Sequence, residues 1–135
     1  MDDTIWFTEG GGDFYGFEDI PAQNKLAQID DSGRIVEYAT PTPDGDGSKV
    51  GVDSLVMDRS GNVWFTERLT NRIGRLERNG TIQEFQIPTK DGYALGIDLD
   101  SASNIWFAER YGNRIGRMNS HGEYCLSNHS KCEKL

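Results

Sequence analysis

Apolar and polar residues alternate over short runs that are separated by turn residues, a pattern typical of half-buried β-strands. In the middle of the chain these runs cover about 52–58, 62–67, 72–77 and 81–87. Two of the turns contain Ser60-Gly61 and Asn79-Gly80, dipeptides that supply the positive φ angles of tight hairpins. No stretch keeps apolar residues at helical spacing for long, so the sequence predicts an all-β fold.

The strand pattern repeats along the chain. Residues 5–9, 63–67 and 105–109 share one pattern, which is a hydrophobic residue, then Trp, Phe, Thr or Ala, and Glu in that order. Trp64 and Trp106 are 42 residues apart, which sets the period. The first unit is longer because it carries insertions within 10–23 and 42–52. A period of about 40–45 residues with four strands per unit is typical of a β-propeller blade.

We therefore predict four-stranded antiparallel blades in a partial β-propeller over residues 1–124, with units near 4–41, 52–89 and 94–124 and a C-terminal tail at 125–135. The first unit begins at its second strand, and only 123–126 can supply the outer strand of the third. Closed propellers typically have four to eight blades. The ring is therefore expected to be incomplete, so the chain is either a fragment of a longer propeller or assembles with other copies.

Strand register can be predicted for the hairpin at the centre of each unit. If Glu67 lies opposite Arg72, then Phe65 lies opposite Gly74 and Trp64 opposite Arg75. The other units then pair Phe107 with Gly116, Trp106 with Arg117, Phe7 with Ala27 and Trp6 with Gln28. Each Phe thus covers a small residue, and two Trp rings can form cation–π contacts with Arg. Large rings on both faces favour a sheet that is sandwiched between two others.

Charge and composition narrow the functional classes. The 135-residue chain carries a net charge of −8, with −9 in residues 1–60 and +1 in 61–135, so no basic surface indicates a nucleic-acid partner. No run reaches the ~18 apolar residues of a membrane span, and the acidic start is not a signal peptide, so we expect a soluble chain of undetermined compartment. Cys125 and Cys132 fit either a disulfide or two free thiols.

The repeated motif resembles that of a known family. The motif is similar to the repeat of streptogramin B lyases, also called virginiamycin B lyases. It consists of a hydrophobic residue followed by Trp-Phe-Thr/Ala-Glu, then a short loop, Asn-Arg-Ile-Gly-Arg and a glycine turn. The resemblance covers nearly all of residues 4–124. It implies a seven-bladed propeller that opens a cyclic depsipeptide antibiotic by elimination at its ester bond, with Mg²⁺ assisting.

The resemblance also implies a catalytic histidine on the innermost strand, at a fixed distance before the strand Trp. This chain has Asp53 and Leu95 at those positions, and the family's nearby Glu is replaced by Gly51 and Tyr93. Only Gly96-Ile97 remains of the motif. Elimination needs a base of near-neutral pKa, so the sequence predicts that the catalytic histidine column is absent from these units.

A further family carboxylate follows the strand Trp by three residues, where this chain has Glu9, Glu67 and Glu109. Because this Glu recurs in every unit, we interpret it as architectural, paired with the Lys or Arg opposite it in the hairpin. An alternative is that Asp53 and Glu67 bind a hard cation, such as the Mg²⁺ that the resemblance implies, through oxygen ligands. Glu9, Glu109 and Tyr93 are candidate ligand-binding residues.

Other candidate residues lie in loops. Phe14, Tyr15 and Phe17 follow a glycine run in the first insertion and are candidates for contact with a ligand or partner, since loops often carry function. His121 lies in a turn and His129 in the tail. We interpret both histidines as exposed residues without a catalytic role.

Two functional hypotheses follow. In the first, the chain is a binding or scaffold unit for a small-molecule or peptide ligand, with no nucleic-acid or membrane partner. In the second, it is a Mg²⁺-dependent streptogramin B lyase that is active only with further blades or as an assembly. The sequence leaves open whether the chain is an enzyme.

Overall fold

The computed structural model describes residues 4–9, 24–41 and 50–125, together with the backbone of residues 132–133. These residues form three antiparallel sheets and no helix, which confirms the predicted all-β fold. None of them belongs to a helix that is long and apolar enough to cross a membrane.

The sheets follow one another along the chain, one for each sequence repeat. The first sheet contains β1 (Ile5–Glu9), β2 (Lys25–Ile29) and β3 (Ile35–Ala39). The second contains β4 (Val52–Met57), β5 (Val63–Glu67), β6 (Arg72–Leu76) and β7 (Ile82–Gln86). The third contains β8 (Ala94–Leu99), β9 (Ile105–Glu109), β10 (Arg114–Met118), β11 (Tyr124–Cys125) and β12 (Cys132–Glu133).

The two outer sheets depart from a regular blade in opposite ways. The first sheet has three strands, because the described chain starts at the second strand of its unit, as predicted. The third sheet has five, because β12 pairs with β11 within the region predicted as a tail. Cys125 is disulfide-bonded and lies opposite Cys132 in this pairing, so the disulfide alternative is confirmed.

The predicted hairpin register is confirmed in all three sheets. Phe65 lies opposite Gly74 and Trp64 opposite Arg75 in the second sheet. The same positions are paired in the other two sheets, namely Phe107 with Gly116, Trp106 with Arg117, Phe7 with Ala27, and Trp6 with Gln28. The alternation of side chains therefore gives each sheet two chemically distinct faces. We call them the Trp face and the Phe face, after the ring that each carries.

The sheets stack in one direction. The Trp face of the first sheet packs on the Phe face of the second, where Trp6 and Tyr38 cover a core that includes Phe65 and Val63. The Trp face of the second packs on the Phe face of the third, where Trp64 shares a core cluster with Phe107 and its neighbours. Among the described residues, only those of the second sheet form a sheet that is covered on both faces.

The burial of residues in the central strands agrees with this stacking. All five residues of β5 are buried, and Trp64 and Phe65 are both fully covered. At the two ends of the stack the equivalent surfaces are open, since Ile5 is 64% exposed on the first sheet and Ile115 is 60% exposed on the third. The array is therefore an open partial propeller, as the repeat count predicts.

The Phe faces depend on glycine. The ring of Phe65 lies against the backbone of Gly74, and the ring of Phe107 lies against that of Gly116. A Cβ atom built on either glycine would overlap the ring. Close approach of an aromatic ring to a bare backbone thus fixes the residue type at this position of the strand.

Arginine completes the Trp face of the second sheet. The Arg75 guanidinium lies 5.2 Å from the ring centroid of Trp64 and 5.4 Å from that of Phe85, which confirms the predicted cation–π contact. Its Nη1 donates to the backbone oxygen of Ser120 in the third sheet at 3.0 Å. The same side chain therefore covers its own sheet and bonds to the next.

Aspartate turns anchor the Trp rings. The indole Nε1 of Trp64 donates to Asp58 at 2.9 Å, and that of Trp106 donates to Asp100 at 2.9 Å. Each aspartate also accepts backbone N–H groups of its own turn. The bond from Trp106 is the main reason that the pKa of Asp100 is lowered to about 2. The turn and the ring that follows it are thus locked together.

Replacement of Gly74 by alanine tests the ring-on-backbone packing. We expect Gly74→Ala to lower the free energy of unfolding by about 2 kcal/mol, because the new methyl group forces the Phe65 ring or the strand to move. Gly96→Ala is the matched control, since a Cβ there meets nothing within 4 Å. Urea unfolding followed by tryptophan fluorescence measures both, and equal effects of the two substitutions would contradict the packing argument.

Candidate functional site

The innermost strands carry a β-bulge at the position where the family resemblance implies a histidine. The pairing of β4 with β5 shifts between Val52 and Leu55, and that of β8 with β9 shifts between Ala94 and Ile97. The bulges therefore contain Asp53 and Leu95. Bulges are common beside active sites, because they redirect a side chain out of the regular pleat. The two positions compared in the sequence are thus structurally equivalent.

Asp53 is held by its neighbours on the inner edge of the second sheet. Its backbone oxygen accepts a hydrogen bond from Thr8 Oγ1 of the first sheet at 3.0 Å. Its carboxylate accepts one from Ser54 Oγ at 3.3 Å, and the Ser54 N–H donates to Thr66 Oγ1. Leu95 offers no acid, base or ligand atom at the equivalent bulge. The pair therefore does not reproduce a column of bases.

Glu67 is a buried acid at the end of β5. Its side chain is fully buried, Thr70 Oγ1 donates to its Oε2 at 2.9 Å, and its carboxyl shares a hydrogen bond with that of Glu84. Burial, followed by the proximity of Glu84, raises its pKa to about 8. Both causes favour the protonated form of the Glu67 carboxyl.

The prediction that the recurring Glu pairs with the Lys or Arg opposite it in the hairpin is wrong. Glu67 lies opposite Arg72 in the strand register, but the Arg72 guanidinium pairs with Glu84 of the next strand at 3.1 Å. In the first sheet Lys25 likewise pairs with Glu37 at 3.1 Å and not with Glu9, its register partner. Both half-buried bases therefore pair with a Glu of the outer strand and not with the recurring Glu.

The described residues do not fit a magnesium site at Asp53 and Glu67. A hard cation is held by several oxygen ligands, whereas Asp53 and Glu67 supply only two carboxylates. Within 4–9, 24–41 and 50–125, no three His, Cys, Asp or Glu side chains are grouped so that they could hold a metal ion. The geometry therefore does not support these two residues as joint ligands, and we derive no reaction step through a metal.

Glu109 supports the connection between two sheets. It is 2% exposed, and one carboxylate oxygen lies 3.3 Å from the Tyr124 hydroxyl, which donates to it. The other oxygen lies against the backbone of Gly92 and Gly112, where Cβ atoms would come within 3.1 and 2.7 Å of it. This packing supports the interpretation of Glu109 as an architectural residue. The Glu9 side chain is half-buried at the end of β1.

Tyr93 lies in a cluster of aromatic and cationic side chains at the loop edge of the third sheet. Its hydroxyl accepts a hydrogen bond from Arg68 Nη1 at 2.7 Å, and its ring lies 4.8 Å from that of Tyr111. The Arg110 guanidinium lies 5.5 Å from the Tyr111 ring, which is 66% exposed as a residue. This cluster was not predicted, because its members come from separate loops.

Several predicted candidates lie outside the described residues. They are Phe14, Tyr15, Phe17 and His129. His121 is exposed in the turn between β10 and β11, as expected.

A groove separates the first and second sheets at one edge. It has a volume of about 430 Å³ and is lined by Trp6, Gln28 and Tyr38 of the first sheet together with turn residues of the second, including Arg59 and Arg78. At the next interface the equivalent space holds the Arg75 side chain. Gln28 occupies the register position of Arg75 but is shorter, so the groove stays open. This difference is visible when the repeats are aligned.

Comparison with known proteins identifies a family and related structures. The model of the virginiamycin B lyase family matches residues 1–130. No sequence among the curated proteins matches the chain.

Solved structures give the same family. A streptogramin B lyase superposes with a TM-score of 0.74 at 33% identity, covering 93% of this chain and 38% of its own. Virginiamycin B lyase from Staphylococcus aureus superposes with a TM-score of 0.70 at 38% identity, covering 81% of this chain and 36% of its own. A catalytically inactive variant of that enzyme with quinupristin gives 0.74 at 32% identity, covering 93% and 39%. The chain thus spans less than two-fifths of the length of these proteins.

The buried acid predicts an unusual pH dependence. Because the folded state keeps the Glu67 proton up to about pH 8, whereas an unfolded glutamate releases it near pH 4.3, this group contributes stability at low pH that is lost as the pH rises between these values. We expect Glu67→Gln to show a smaller loss of unfolding free energy between pH 5 and pH 8 than the unsubstituted chain.

Urea unfolding at both pH values measures this effect. Glu37→Gln is the control, because Glu37 is exposed and pairs with Lys25. An unchanged pH dependence in Glu67→Gln would show that Glu67 is ionised in the folded chain.

Proposed function

Since the chain belongs to the virginiamycin B lyase family, we propose that it is a binding and scaffold unit of that propeller type, whose described residues do not carry the elimination reaction. The observation that carries the proposal is the pair of bulge residues on the innermost strands. Asp53 and Leu95 stand where the family resemblance implies histidine.

The chemistry explains why this substitution matters. Proton abstraction next to a carbonyl is efficient when the base has a pKa near the working pH. An ordinary aspartate is a weaker base than histidine by about 2.5 pKa units, and leucine has no basic atom. The hydrogen bond from Ser54 also occupies one carboxylate oxygen of Asp53. The innermost strands of these sheets are therefore suited to forming a binding surface and not to removing a proton from a substrate.

The groove between the first and second sheets supports a binding role. Its volume of about 430 Å³ lies within the ~300–1,000 Å³ of small-molecule sites. Trp6 and Tyr38 stack with their centroids 5.7 Å apart and provide an aromatic wall. Charges of both signs line the rest, from Arg59 and Arg78 and from Asp58 and Glu77. These side chains suit a small molecule or short peptide that contains a planar or aromatic group.

A second candidate function is favoured by the extent of the match. The chain spans 38% of a streptogramin B lyase that it resembles over nearly all of its own length. In this alternative the chain supplies blades to a Mg²⁺-dependent streptogramin B lyase, and other blades or an assembly supply the base and the metal ligands.

An assay of virginiamycin B ring opening separates the two candidates. We expect the chain with Mg²⁺ to consume the cyclic antibiotic no faster than buffer does, as followed by chromatography beside a complete virginiamycin B lyase. Turnover that disappears in Asp53→Ala would overturn the proposal and identify Asp53 as the base. Turnover that appears only at concentrations where the chain assembles would favour the second candidate.

A further inference from the structure

The groove between the first and second sheets lies at the opposite end of the strands from the bulge in β4. β4 and β5 pair Val52 with Glu67 at one end, beside the bulge that contains Asp53. They pair Met57 with Val63 at the other end, and the turn between these two residues lines the groove. The lining of the groove therefore includes neither the bulge nor Glu67.

The next interface shows which group fills the same position within the chain. There the rings of Trp64 and Phe85 stack with their centroids 5.8 Å apart, and the Arg75 guanidinium lies over both rings. Arg75 Nη1 also donates to the backbone oxygen of Ser120, in a turn of the third sheet. At this interface a planar cation therefore covers the aromatic pair and reaches the opposing sheet.

The first interface has the aromatic pair without the planar cation. Trp6 and Tyr38 stack with their centroids 5.7 Å apart and hold the register positions of the pair in the second sheet. Gln28 stands where the second sheet has Arg75, and its Nε2 donates to the Tyr38 hydroxyl at 3.3 Å. The amide is thus bonded within its own sheet, and the space in front of the aromatic pair forms the groove.

The positive charge lies on the other wall of the groove. The two turns of the second sheet that line it contain Arg59 and Arg78. The same two places in the turns of the third sheet are occupied by Ser101 and Ser120. The first interface therefore has arginine on the turns and a neutral side chain beside the rings, which is the reverse of the next interface.

The acids of the groove are engaged within the second sheet. The Asp58 carboxylate accepts backbone N–H groups of its own turn and an indole N–H of the same sheet. Glu77 accepts a hydrogen bond from Arg75 Nη2 at 3.0 Å. The side chains of Arg59 and Arg78 form no hydrogen bond or ion pair with the part of the chain that the structure describes. The charge that a ligand meets in the groove is therefore positive.

The Arg78 side chain is supported by Gly61. A Cβ atom built on Gly61 would lie 3.1 Å from Arg78 Cδ and 3.2 Å from its Nε, so the arginine stem lies on the bare backbone of this turn. The φ angle of Gly61 is 83°, which glycine adopts without strain. One turn of the groove thus holds the cationic side chain of the other.

We propose that this groove binds a small aromatic carboxylate, with its ring against Trp6 and Tyr38 and its carboxylate paired with Arg78 and Arg59. Arginine pairs with carboxylates through parallel hydrogen bonds, and aromatic rings stabilise one another in offset or tilted contact. The inference rests on the binding role proposed above and adds the charge and shape of the ligand.

A series of probes with one ring system and three charges tests the inference. Calorimetry of the whole chain with 2-naphthoate, 2-naphthamide and 2-naphthylmethylamine measures the three affinities. We expect the carboxylate to bind about tenfold more tightly than the amide or the amine, and less tightly as the salt concentration rises. Equal binding of carboxylate and amide would overturn the inference and leave the binding role in place. Absence of carboxylate binding up to millimolar concentrations would overturn the inference as well.

Matched arginine substitutions locate the carboxylate. Arg78→Gln is expected to weaken the binding of 2-naphthoate about tenfold and to leave that of 2-naphthamide unchanged. Arg34→Gln is the control, because it removes the same charge from an exposed side chain that pairs with Asp30 at 3.1 Å and does not line the groove. An equal effect of the two substitutions would assign the attraction to net charge and overturn the site.

A substitution on the aromatic wall locates the ring. In Gln28→Arg the new guanidinium can cover Trp6 and Tyr38 as Arg75 covers the rings of the second sheet. We expect this variant to lose 2-naphthoate binding although it gains a positive charge. Tighter binding would overturn the placement of the ring. Circular dichroism confirms that each variant keeps its strands, and no readout involves ring opening, so this inference and the lack of turnover can fail separately.

Discussion

The structure depends on covering two aromatic faces of every sheet. A Trp side chain points to one side and a Phe side chain to the other, so no sheet of this array can leave either face to water without a large apolar cost. The second sheet meets this requirement completely, with both Trp64 and Phe65 fully buried. The same requirement explains two neighbouring residues. The glycine opposite Phe65 leaves room for the ring to lie flat on the strand, and the arginine over Trp64 fills the space beside that ring, so that a neighbouring sheet can pack closely on each face.

Strand register was predictable because the repeat constrains it three times. Phe65 opposite Gly74 has a physical reason on its own, and the recurrence of the pair as Phe107 with Gly116 removes the alternatives. Side-chain pairing beyond the hairpin was not predictable in the same way. Arg72 selects Glu84 over Glu67, because their relative depths depend on how neighbouring sheets pack, which the alternation of residues does not encode.

The candidate site could be predicted in position but not in shape. Residue spacing alone places Asp53 and Leu95 at equivalent points, whereas the bulges that contain them follow from backbone geometry. The groove beside Trp6 follows from the difference between Gln28 and Arg75, which is present in the sequence but has meaning only once the opposing turn is known. The cluster of aromatic and cationic side chains at Tyr93 depends on three loops, whose relative orientation the sequence does not give.

The hydrogen bonds from Trp64 to Asp58 and from Trp106 to Asp100 each close a loop of only a few residues. A short loop costs little entropy to close, so the anchoring of each ring is encoded within its own repeat and needs no distant sequence. The apolar faces differ, because a repeat buries them only against a neighbouring sheet. Duplication of the coding segment therefore adds a unit whose local geometry is already specified and whose face matches that of its sibling.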